Sequence, residues 1–399
     1  MLQWIIGVFL LMTCLIGGWL VFIPMNRVRH IENDSVSRQK VLNRIRRRRG
    51  SIPPPYPNGW YIIAQSTQVT SGSKLRVSAL GREFLIYRGL ESNEVFVVDP
   101  YCPHLGADIY YGGEVSKDSI ICPFHHWKFD GHTGDCISIP YSKNEKRPST
   151  KLKTVESSEL NGHIYIWYHA NETERPLWRP VTLETFSTMS YQGRSEYEIS
   201  CHIQDIPENG ADVNHLDAIH RTGIIAGGNP GSFKILLSSL LAYHKWEVNW
   251  TSDDKTNPHI AKVSLNHKMI IFGRFQTMDL NVKAYQIGPS IVHLHFQSPF
   301  FGEGVMIQSI IPVQPFLQKV IHTFYTNRFW PPPLAKFVLW GESILLERDI
   351  AVWNHKKYVK KPVLIREDAL ILKHRRWYSQ FYSEDSLSVG ECNLSKNDW

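Results

Sequence analysis

From Leu2 to Ile23 the chain carries no charged residue. As a helix this stretch rises about 1.5 Å per residue to roughly 33 Å, enough to cross the hydrocarbon core of a bilayer. A cleaved leader wants a basic start and a shorter apolar run, so the pattern predicts an uncleaved transmembrane helix over residues 1–24. Residues 25–57 read as a basic, proline-rich linker ending in the stiff run Pro53–Pro57. Short alternating segments follow at Trp60–Ile63, Phe84–Tyr87, Val95–Val98, Ser119–Cys122 and His163–Trp167, separated by Gly, Asn and Asp. They predict a small all-β domain over 58–171. After Pro180 the pattern lengthens. Ser195–Ile203, Lys245–Trp250, Ile260–Leu265, Ile291–Gln297 and Val305–Pro312 have strand character, and Asp205–His220 and Leu334–Lys356 read as helices. That predicts an α+β domain with an antiparallel sheet over 172–385, then a tail over 386–399.

Charge sharpens the amino-terminal picture. Nine Lys and Arg stand against Glu32 and Asp34 between Arg27 and Arg49, an excess of +7 that equals the net charge of the whole chain. The body is therefore balanced, and offers no second basic surface on which the run Arg44–Arg49 could continue a nucleic-acid track. The positive-inside bias places the domains in the cytosol, against anionic headgroups. Six cysteines without a framework spacing suit a reducing compartment. The sequons at Asn171 and Asn249 carry no weight for a cytosolic domain. With 399 residues and 43% hydrophobic content there is material for two cores.

Two loops carry the sharpest chemistry. Cys102-Pro103-His104 and Cys122-Pro123-Phe124-His125 each place a thiolate and an imidazole on a proline-stiffened turn, 17 residues apart. Two sulfur and two nitrogen donors suit a [2Fe–2S] cluster with histidines on one iron, the Rieske arrangement. They also suit a structural zinc. A second constellation follows in Glu208-Asn209-Gly210-Ala211-Asp212-Val213-Asn214-His215-Leu216-Asp217-Ala218-Ile219-His220. Two histidines and a distant carboxylate form the facial triad of mononuclear iron(II), with open positions for O2. His215 and His220 lie about 140° apart on an ideal helix, so a shared ion requires a bulge or break there. Asn209 and Asp212 precede His215 on the same stripe. The carboxylate has two candidates on the late helix, Asp349 and Glu342. Both have apolar neighbours at i±3 and i±4, and periodicity leaves the choice open.

Together the two motifs resemble the Rieske-type oxygenases over roughly residues 50–385. The stretches Pro53–Trp60, Tyr101–Ala107 and His202–Asn209 look most like the animal cholesterol 7-desaturases, the Neverland group. The resemblance implies a helix-grip-like catalytic domain whose sheet curls around a long helix and encloses an apolar pocket. It implies a cluster on Cys102, His104, Cys122 and His125, and iron on His215, His220 and Asp349 rather than Glu342. It further implies O2 and NAD(P)H, the latter through a separate reductase, and a head-to-tail homotrimer in which Asp212 links a cluster histidine to an iron histidine. The reaction would introduce the C7–C8 double bond of 7-dehydrocholesterol for steroid hormone synthesis, at a membrane such as the endoplasmic reticulum. One departure is His126, where the common form of the motif has glycine.

Three other readings compete: a Rieske monooxygenase hydroxylating another steroid or polycyclic lipid, a tethered Rieske electron carrier, and a zinc-stabilised lipid-binding protein. The carrier would need only the first domain. The second metal motif argues against it.

Overall fold

In the computed structural model, residues 2–30, 52–143, 149–229, 242–252, 255–298, 301–359 and 361–394 are described. The basic run at 44–49 lies outside them. The chain divides into two units. One is built from the described parts of 53–183, 311–315 and 381–399; the other from those of 1–52, 184–310 and 316–380.

The first unit is all-β at its core. Strand β1 (Met25–Arg29) belongs to the second unit. Here β2 (Gly59–Gln65), β10 (Ser157–Leu160) and β11 (His163–Tyr168) form one sheet, in the order β10-β11-β2. Strands β3 (Lys74–Ala79), β4 (Arg82–Arg88) and β5 (Val95–Val98) form a second. Strands β6 (Glu114–Ser116), β7 (Ser119–Ile121), β8 (Lys128–Asp130) and β9 (Cys136–Ser138) form a third. Asn161-Gly162, at φ +50° and +70°, closes the β10–β11 hairpin, as a two-residue turn with positive φ at both positions requires. Leu85, Tyr87, Ile109, Ile120 and Phe129 are fully buried in one apolar cluster that also contains Cys102 and Cys122. Cys102 and Cys122 are thus anchored in core, and their loops are held from below.

The second unit is an eight-stranded sheet in the order β1-β12-β18-β17-β16-β15-β14-β13. Its strands are β1 (Met25–Arg29), β12 (Ser190–Ile199), β13 (Ala242–Thr251), β14 (Ile260–Ile271), β15 (Phe275–Ile287), β16 (Ile291–Ser298), β17 (Gly302–Gln314) and β18 (Leu317–Thr326). Helix α4 (Pro332–Trp353) follows the last strand, starting on Pro residues that suit a first turn. Its Ala335 and Leu339 pack with Val282, Phe296, Met306, Phe324 and Trp330 of the sheet and the turn before the helix.

The amino terminus differs from the reading of the sequence. Helix α1 covers Leu2–Phe22, but the side chains of residues 2–11 lie outside the description. The described remainder is shorter than the ~20 residues a bilayer core requires, and among the described residues no helix is long and apolar enough to cross a membrane. The expected span is therefore unsupported. The segment read as a linker over 25–57 opens with strand β1, paired parallel to β12 from Met25↔Gly193 to Arg29↔Tyr197. Gly193, at φ +149°, makes this possible: a Cβ there would stand 2.3 Å from the Met25 carbonyl oxygen. Arg27 donates to Glu347 and to Tyr197, each from Nε at 3.1 Å, and Lys336 Nζ donates to the Trp19 carbonyl at 2.9 Å.

The single helix expected over Asp205–His220 is also broken. It becomes α2 (Asp205–Glu208), α3 (Val213–His215) and a π turn at Leu216–His220. The break falls at Asp212, whose φ −85° and ψ +82° are not helical. The strand expected over Ser195–Ile203 ends at Ile199.

Candidate functional site

The two cysteine–histidine loops have one design. Cys102 N–H donates to the Ala107 carbonyl and Cys122 N–H to the Trp127 carbonyl, five residues on in each case. The cysteine carbonyls accept from Gly106 N–H and His126 N–H, four residues on. Gly106 and His126 both have positive φ, +73° and +57°. The turn itself thus demands the left-handed conformation at this position, which explains why glycine is the ordinary occupant and His126 the exception. His126 is exposed, and its main chain closes the turn.

These loops pair like donors, histidine with histidine and cysteine with cysteine. The His104 and His125 rings lie 4.8 Å apart, and His104 stacks on Trp127 at 4.4 Å and 8°. Trp127 Nε1 in turn donates to the Tyr141 hydroxyl at 2.8 Å. The cysteines are buried and the histidines half-buried. Burial pushes the Cys102 thiol up to about 11, the neighbouring Cys122 thiol adds to this, and the backbone N–H groups of His104 and Leu105 oppose it. Two adjacent thiols, one of them met by backbone donors, fit a cation that displaces their protons.

The second constellation joins distant parts of the chain. Ligand atoms of His215, His220 and Asp349 all lie within 4.8 Å of one another. The π turn between the histidines brings residues five apart onto one side, with ring centroids 5.1 Å apart. His215 Nδ1–H donates to the Asp212 carbonyl, which leaves Nε2 as the free donor atom. Asp212 Oδ1 accepts His215 N–H at 3.3 Å and caps α3. His220 Nδ1 is buried and has no hydrogen-bond partner among the described residues. Two imidazoles, one carboxylate and an orphaned ring nitrogen fit a divalent metal. Glu342 stands outside this group, and Asn209 is the C-cap of α2.

Several residues that hold the site carried no sequence signal. Arg348 is fully buried and donates to the carbonyls of Ile219, Thr222, Gly223 and Gly227, stapling the chain on both sides of His220 to α4. Arg375 grips Glu208 through two 2.7 Å bonds. Asp205 accepts from Lys356 at 2.6 Å and from Tyr358. His244 sits beside the site, its N–H bonded to the Arg221 carbonyl and its Nδ1 2.5 Å from His267 Nε2. Burial lowers its pKa to about 3, with His267, Arg348 and His220 adding to the effect.

Residues 59–157 match the family described as Rieske [2Fe-2S] domain, which spans both cysteine–histidine loops. Residues 166–382 match the 3-ketosteroid 9alpha-hydroxylase C-terminal domain, which spans His215, His220 and Asp349. The chain is 43% identical over 392 residues to a cholesterol 7-desaturase of Drosophila melanogaster, covering 94% of this chain and 90% of that one. The chain belongs to the cholesterol 7-desaturase family. A second member, from Xenopus laevis, is 44% identical over 368 residues, covering 91% of this chain and 80% of the relative. The Rieske [2Fe-2S] match over residues 59–157 favours a [2Fe–2S] cluster over zinc in that domain. The fold is shared more widely. The terminal oxygenase of carbazole 1,9a-dioxygenase from Novosphingobium sp. KA1 superposes with a TM-score of 0.60 at 16% identity, covering 88% of this chain and all of that one.

Proposed function

We propose that this chain is a cholesterol 7-desaturase, removing two hydrogens from cholesterol to give 7-dehydrocholesterol for steroid hormone synthesis. The observation that carries the reading is the convergence of His215, His220 and Asp349 in a chain that also bears the Rieske loops and matches desaturases along most of its length. When bound, the cluster supplies single electrons and the iron(II) activates O2. Electrons balance if the sterol and NAD(P)H each give two, reducing one O2 to two waters, with a separate reductase as the entry point.

In this reading Cys102, His104, Cys122 and His125 hold the cluster, and His215, His220 and Asp349 hold the iron. Asp212 fixes the His215 tautomer through its carbonyl and offers its carboxylate toward a cluster histidine of a neighbouring subunit, which requires the homotrimer. Asn209 stabilises the turn that presents Asp212. The uncharged helix α1 favours attachment to a membrane such as the endoplasmic reticulum. Resistance of the full chain to carbonate extraction would support this, and release into the soluble fraction would remove it.

Hydroxylation is the second reading, favoured by the hydroxylase description of the matching C-terminal domain. Mass spectrometry of sterols decides between the two, after incubating cholesterol with membranes holding the chain, NADPH, a reductase and O2. A His215→Ala control runs beside it. A product lighter by two hydrogens and absent in the control supports desaturation. A product heavier by one oxygen overturns it.

A further inference from the structure

The metal donor set leaves one carboxyl of α4 without a task. Glu342 precedes Asp349 by two helical turns, so both leave the same face, about 10 Å apart along the axis. The charges of His220 and Asp349 both act on it, which places it on the side of the metal donors. It is enclosed by protein yet keeps some accessible surface. Among the described residues no hydrogen bond or ion pair reaches its carboxyl. One turn away on either side stand Val338, Leu339, Leu345 and Leu346; Leu339 belongs to the apolar cluster with Val282, Phe296, Met306 and Phe324, against which Val338, Leu265 and Leu294 also pack. Burial pushes its carboxyl up to about 7, with Asp349 adding and His220 opposing.

A lone carboxyl in an aliphatic lining is costly unless something meets it. A sterol presents the matching problem, an apolar body with one hydroxyl that loses its water on entry. Resting on the desaturase reading, we propose that Glu342 receives the 3β-hydroxyl of the sterol and thereby sets which ring carbons lie at the iron. The hydroxyl is on ring A and the C7–C8 bond on ring B. Two turns of helix supply the order of spacing needed for one ring plus the reach from C7 to the metal. Another buried polar pair, His244 with His267, adjoins His220 through Arg221 and sits at the metal end instead.

The test uses the full chain in membranes with cluster and iron in place, and compares cholesterol with cholest-5-ene, which lacks the hydroxyl. Wild type should bind and turn over cholest-5-ene with a KM about 10- to 100-fold higher, the value of a buried hydrogen bond to such a group. Glu342→Leu should raise KM for cholesterol by a similar factor, leave iron content unchanged, and add nothing on cholest-5-ene. Glu342→Gln, which still donates and accepts, should stay within a few-fold of wild type. Equal loss on both sterols, loss of iron, or wild type that fails to distinguish the sterols overturns the assignment. Wild type that makes no desaturated product from cholesterol overturns the desaturase reading itself. Equilibrium binding of the two labelled sterols to wild type decides the matter even where the leucine variant fails to fold.

Discussion

His220 Nε2 stands 3.1 Å from Asp349 Oδ1, joining a π turn in the middle of the chain to the helix that follows the sheet. That pairing separates Asp349 from Glu342. Asp349→Ala should empty the mononuclear site while the visible absorption of the cluster persists. The loss of metal affinity should exceed the ~10- to 100-fold that removal of an outer partner causes. Glu342→Ala should retain iron. Metal analysis of the two purified variants checks this, and iron retained in Asp349→Ala would refute the assignment.

Asp212 contributes a carboxylate and a carbonyl to different tasks. Asp212→Ala removes the cap on α3, a cost of about 1 kcal/mol, but keeps the carbonyl that accepts His215 Nδ1–H. Iron and cluster should remain at wild-type content while turnover stops. Single-turnover measurement with a pre-reduced cluster reads this directly. Full activity would remove the bridging role.

His126 holds a left-handed backbone that costs a residue with a Cβ about 1–2 kcal/mol. His126→Gly should raise the thermal midpoint of the cluster-bearing unit. Gly106→Ala, at the equivalent place in the other loop, should lower it. Calorimetry on both variants tests the equivalence of the two turns.

The sequence made the local features legible and hid the distant ones. The cysteine loops could be read because each donor pair and its turn lie within six residues. The two histidines announced a bulge because five residues do not fit one face of an α-helix. Asp349 and Glu342 shared an apolar face, and only their position along the helix axis distinguishes them. Nothing local announced β1, whose pairing depends on Gly193 and whose charge partner Glu347 lies on α4. Arg348 was silent for the same reason: its partners are backbone carbonyls, which carry no side-chain signature.

Acid should weaken the sheet unit through histidines buried in neutral form. His322 is fully enclosed, its Nε2 bonded to Gln308 at 2.8 Å, and burial lowers its pKa to about 4. Because this value lies below the unfolded one, near 6.5, the unfolded chain takes up the proton first as pH falls. Stability is therefore intact above about pH 6.5 and declines between there and about pH 4, by on the order of 3 kcal/mol for this residue. His322→Gln should flatten part of that slope. Urea midpoints at pH 7.5 and 5 measure it, and an unchanged slope would count against His322.

Only two residues separate the end of α1 at Phe22 from the start of β1 at Met25. The leading helix is therefore welded to the eight-stranded sheet rather than leashed to it, and any force on that helix enters the sheet through a hydrogen-bonded edge. A soluble version cut just before Met25 keeps the edge covered. One cut after His30 strips β12 of its parallel neighbour, exposes a row of unpaired backbone groups that invites aggregation, and leaves Glu347 without Arg27 and Arg29.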